Sequence, residues 1–162
     1  MNKQHITYSD IYEPKFLEQF GEHKNKIKSL KLTHEYEIDI KKIAEICRIS
    51  ISPSKNKFDM AHEISHIILG HKANNPKYKE TVAKLNNIAA DKFAKELLLP
   101  KKLVKMAIIK SINDLGYTRN QIFSNCEFDT IIAETAITLN TPKQLLKLRI
   151  KQLNLFKNNK DV

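Results

Sequence analysis

A chain of 162 residues, 41% hydrophobic and 28% charged, is sized for one domain with its own apolar core. Only three glycines and five prolines, with no low-complexity stretch, exclude a disordered chain and disfavour a turn-rich β-sandwich or barrel, leaving long helices. The formal charge of +10 permits an anionic partner, but the lysines are dispersed and arginine occurs only at Arg48, Arg119 and Arg149, so direct nucleic-acid binding is not favoured.

Cys47 and Cys126 are unpatterned and lie in apolar-flanked segments, which predicts reduced, buried thiols rather than a disulfide framework or a C-x-x-C metal site. Residues 1–10 are polar, and no run of about 18 uncharged apolar residues occurs, so neither a signal peptide nor a membrane span is predicted. A cytoplasmic location follows as the expectation.

Residues 11–30 set Phe16, Leu17, Phe20, Ile27 and Leu30 among charges at helical spacing, predicting one or two amphipathic scaffolding helices. Ile38, Ile40, Ile43, Ala44 and Cys47 predict a short helix capped by Asp39. It delivers the chain into Ile49-Ser50-Ile51-Ser52, whose alternation predicts a strand. Residues 53–57 turn, and Phe58 opens an apolar helix that stops near Gly70. After a loop at Asn74-Asn75-Pro76, residues 80–99 form the longest helical pattern, stopped by Pro100. Residues 101–125 give a shorter helix and a loop around Gly116. Residues 131–139 and 144–155 make a helical hairpin, with Pro142 suited to the first turn of the last helix, before a frayed, flexible tail at 157–162. The predicted organisation is a single domain over 1–156, with an N-terminal helical extension at 1–37, a core at 38–100 and C-terminal helices at 101–156.

His62-Glu63-Ile64-Ser65-His66 is the most specific feature of the chain. Residues i and i+4 of a helix share a face, so both imidazoles can point at one ion. Ile64, Ile67 and Ile68 lie away from that face, with Phe58, Met60 and Leu69 adding apolar surface, so the helix is expected to be buried. Polar side chains there need a compensating partner, and a zinc ion is one. Glu63 falls where its carboxylate can take a proton from a water that zinc has acidified. At this His and Glu content the pattern arises by chance in about one such sequence in seventy. A further ligand should come from the next helix, where Asn87 and Asp91 are one turn apart; Ala83, Ala89, Ala90 and Ala94 would allow close approach. His71, past Gly70, is a weaker candidate, and Tyr78 and His71 are the candidates for stabilising an oxyanion.

Two blocks carry a family resemblance. Residues 57–71, with Ala61-His62-Glu63-Ile64-Ser65-His66-Ile67-Ile68-Leu69-Gly70-His71 at their centre, are similar to F-T-x-A-H-E-x-G-H-x-x-L-G-H. Residues 90–100, opening Ala90-Asp91-Lys92-Phe93-Ala94 and closing Leu97-Leu98-Leu99-Pro100, are similar to A-N/D-x-F-A-x-x-L-L-M-P. In both the chain resembles the ImmA/IrrE-type zinc metallopeptidases, with weaker similarity outward over about residues 38–155. The resemblance implies an α+β, mainly helical fold: a zincin-like core with a small β-sheet beside the H-E-x-x-H helix and a C-terminal helical hairpin. It implies zinc on His62 and His66 with Glu63 as general base, and Asn87 at the position where the family has a third-ligand glutamate. Asp91 either completes the site or orients a ligating histidine. The implied activity is zinc-dependent cleavage or inactivation of a helix-turn-helix transcriptional repressor from a phage, mobile element or toxin-antitoxin-like system. The N-terminal segment is a place where partner selectivity could be added.

Two other readings stand beside this one. In the first, a zincin-fold protein weakened by Asn87 regulates such a repressor by contact alone. In the second, the terminal hairpin binds DNA directly, although Leu145, Leu146, Leu148, Ile150, Leu153 and Leu155 read as packing residues.

Overall fold

Breaks in the N-terminal sequence divide its amphipathic pattern into short helical pieces. α1 (Tyr8–Ile11) and α2 (Pro14–Glu18) are separated at Pro14, which occupies the first helical turn of α2. Gly21, at φ 55, opens a 3-10 turn (Gly21–His23) that runs into α3 (Lys24–Lys28). The computed structural model describes residues 5–32, 36–53, 55–71 and 80–156. The predicted loop at 74–76, Tyr78 and the tail at 157–162 lie outside the described residues. The chain divides into two compact units, Met1–Pro100 and Lys101–Val162.

In the first unit, α4 (Ile40–Ile46), α5 (Lys57–Ile68) and α6 (Glu80–Leu98) follow α3. Asp39 caps α4 as its sequence predicts, its carboxylate accepting from the Lys42 N–H at 2.9 Å. The strand predicted at 49–52, and with it the small β-sheet, is not formed: among the described residues there is no strand. The cause is local. Arg48 takes a left-handed φ of 57 and the Ile49 N–H closes back on the Ala44 carbonyl at 2.8 Å, so the helix end takes the amide that a ladder would need. The fold is therefore mainly helical.

Aromatic side chains fasten the N-terminal helices to the back of α6. Tyr8, Tyr12, Phe16 and Phe20 are all buried and touch in series, and Phe16 and Phe20 reach Phe93 with ring centroids 4.7 and 5.9 Å apart. The Tyr12 hydroxyl donates to the Leu97 carbonyl, and the Tyr8 hydroxyl accepts from the Asp39 N–H at 2.8 Å. Each buried ring contributes about 2 to 3 kcal/mol through removal from water, so this segment is core rather than appendage.

The second unit contains α7 (Lys101–Asp114), α8 (Asn125–Thr138) and α9 (Lys143–Leu153). α8 begins six residues before the predicted start, because Ser124 and Glu127 form a reciprocal capping box. Pro142 is the N-cap of α9 rather than part of its first turn. Ile131, Ile132, Leu146 and Ile150 are buried, whereas Leu148 is exposed. Cys126 is exposed rather than buried, since it lies in the first turn of α8 away from the Ile131 and Ile132 stripe; Cys47 is half-buried, and both thiols are free.

Candidate metal centre

α5 begins and ends on strong local signals. Asn56 is its N-cap, accepting from the Asp59 N–H at 2.9 Å. Gly70, at φ 70, reverses the chain beyond its last turn. Met60, Ala61, Ile64 and Ser65 form its buried face. Ile67 is 52% exposed, which corrects the expectation of a helix buried all round: His62 and His66 occupy a partly open side. On α6, Ala90 and Ala94 are fully buried and permit close approach, while Ala83 and Ala89 face solvent.

The two helices run antiparallel, pairing His62 with Asp91 and His66 with Asn87. His62 Nδ1 lies 2.7 Å from Asp91 Oδ1. A carboxylate only accepts, so that nitrogen carries the proton and His62 Nε2 presents a lone pair. His66 Nε2 lies 2.9 Å from this nitrogen and 3.1 Å from Asn87 Oδ1. Burial holds the His66 imidazolium pKa below its ordinary value; the neighbouring His62 and His71 lower it further, against smaller opposing effects from Asn87 and Asp91. On its far side His66 Nδ1 meets His71 Nδ1 at 3.0 Å.

His62 Nε2 and Asn87 Oδ1 thus both meet His66 Nε2, with one proton at most among the three atoms. A small cation with bonds of about 2.0 to 2.2 Å suits such a cluster of lone pairs. Asp91 stands behind His62 instead of joining that cluster, and Glu63 is engaged elsewhere, its Oε2 accepting from Lys55 Nζ at 2.8 Å. Sequence reading did not find Lys55, because nothing in a turn eight residues upstream marks it as a partner for Glu63. His71, a sequence candidate for a ligand or oxyanion role, has its ring against the outer nitrogen of His66.

Residues 50–124 match the family Peptidase_M78, the IrrE N-terminal-like domain. This segment is similar to the domain of that metallopeptidase family. No curated protein and no solved structure matches the chain. The IrrE N-terminal-like segment contains α5, α6 and α7, and with them Lys55, Glu63, the three histidines, Asn87 and Asp91. Among its described residues no three His, Cys, Asp or Glu side chains form a metal-holding group, because the third converging donor is the neutral amide of Asn87. No helix among the described residues is long and apolar enough to cross a membrane.

Proposed function

We propose that the chain is a zinc-dependent endopeptidase whose substrate is a helix-turn-helix transcriptional repressor of a phage, mobile element or toxin-antitoxin-like system. The observation that carries the zinc reading is the contact of both His62 Nε2 and Asn87 Oδ1 with His66 Nε2 inside a segment that matches a metallopeptidase family. These three atoms would hold the ion, with Asp91 orienting His62. Bound zinc supplies Lewis acidity toward water and the scissile carbonyl. Glu63 would take the proton of the attacking water as its oxygen adds to the carbonyl carbon, then deliver it to the leaving amine as the C–N bond breaks. For this the Glu63 carboxylate must leave Lys55; both side chains are more than a third exposed, so the pair is weak enough to part. The substrate is drawn from the resemblance of the two motif blocks and would act in the cytoplasm.

The test is incubation of zinc-loaded protein with a purified helix-turn-helix repressor, followed by mass spectrometry of fragments. Glu63→Gln should retain zinc and lose cleavage by a factor of roughly 100 to 10,000. Asn87 and the Lys55–Glu63 pair favour a second reading, a zincin-fold regulator acting by contact. Repressor antagonism that persists undiminished in Glu63→Gln, with no fragments from the wild type, would establish that one.

A further inference from the structure

Two histidines of the cluster are backed by different groups. His62 rests on the Asp91 carboxylate, whereas the outer nitrogen of His66 faces a third imidazole. That placement comes from the helix end. Gly70 in the left-handed conformation lets the His71 N–H close on the His66 carbonyl at 2.9 Å, and the same reversal folds the His71 ring over His66, with centroids 5.1 Å apart at 67°.

The 3.0 Å contact between the two Nδ1 atoms holds one proton, and two arrangements are open to it. With the proton on His71, His66 carries its own on Nε2, directed at the lone pairs of His62 and Asn87. With the proton on His66 Nδ1, His66 Nε2 is bare and His71 carries its proton on Nε2. Both arrangements are neutral, and they differ by moving one proton along each ring. Only the second leaves three lone pairs converging.

We propose that His71 is a positioning residue of the metal centre: it accepts from His66 Nδ1–H and so holds the His66 lone pair on Nε2, aimed at the same point as His62 Nε2 and Asn87 Oδ1. The inference rests on the zinc reading above. His71 does for His66 what Asp91 does for His62, and outer partners of this kind alter metal affinity by about 10- to 100-fold. His71 is half-buried at the helix end, so its removal leaves the core of the unit intact.

The experiment compares zinc affinity, by competition with a chromophoric chelator, in wild type, His71→Ala and His71→Asn, and reads the histidine tautomers of the zinc-loaded wild type by long-range nitrogen–proton NMR. The expected result is His71 protonated on Nε2, a loss of affinity of roughly 10- to 100-fold in His71→Ala, and recovery of most of it in His71→Asn, whose amide oxygen can stand where Nδ1 stood. If the wild type binds zinc while His71→Ala binds it equally well, or if His71 holds its proton on Nδ1, the positioning role is overturned and the zinc reading survives. A wild type that takes up no zinc overturns both.

Discussion

Replacing Asp91 by alanine isolates what the carboxylate behind His62 contributes. Its Oδ1 lies 2.7 Å from Nδ1, on the opposite ring nitrogen from the one that meets His66, so the substitution removes an orienting contact and leaves the contacts at His66 Nε2 in place. A hydrogen bond to a charged group is worth about 1.5 to 3 kcal/mol when shielded. With the two side chains 28% and 46% exposed, solvent screening reduces this to about 1 to 2 kcal/mol. Zinc affinity should therefore fall by about 5- to 30-fold, while the melting temperature of the metal-free protein moves by only a few degrees. Asp91→Asn, which keeps an acceptor but loses the charge, should fall between wild type and alanine. Chelator competition in a metal buffer measures all three. A loss beyond a thousandfold would mean that Asp91 binds the metal directly, and no loss would mean that its contact with His62 is incidental; either refutes the reasoning.

Asn87→Glu puts a carboxylate where the amide oxygen meets His66 and should tighten zinc binding at least tenfold, with unchanged affinity counting against Asn87 as a donor. Ile64→Ala, at a fully buried position of α5, should cost about 3 kcal/mol and lower the melting temperature by roughly 10 °C or more, whereas Ile67→Ala, at a half-exposed one, should cost under about 0.5 kcal/mol. Equal effects in the thermal melts would contradict the burial asymmetry of this helix. The Cys47 thiol is pushed up to about 11 by burial, so its thiolate forms only as pH rises and its alkylation should accelerate about tenfold per unit through pH 10. Exposed Cys126 should be labelled first at pH 7.5, as peptide mapping would show; comparable labelling of both would be wrong for this structure.

Signals that act within one or two turns were readable from the residues alone. The spacing of His62 and His66, the Asp39 cap, the stop at Gly70 and the stop before Pro100 each depend on neighbours along the chain, and each is present in the structure. The strand at 49–52 failed on a different scale. Its alternation was real, but a strand needs a partner, and here the end of α4 takes the Ile49 amide.

By itself the sequence determined the two-histidine helix, the adjacent glutamate and the following helix that brings Asn87 and Asp91 one turn apart, since helical periodicity assigns these to faces. Only the tertiary structure decided which of the two meets the converging histidine nitrogens and which stands behind, that Lys55 holds Glu63, and that His71 turns back on His66. Those outcomes depend on the register of α5 against α6. Packing between α5 and α6, which bury Ile64 on one and Ala90 and Ala94 on the other, together with Phe16 against Phe93, is what sets that register, and no local pattern encodes it.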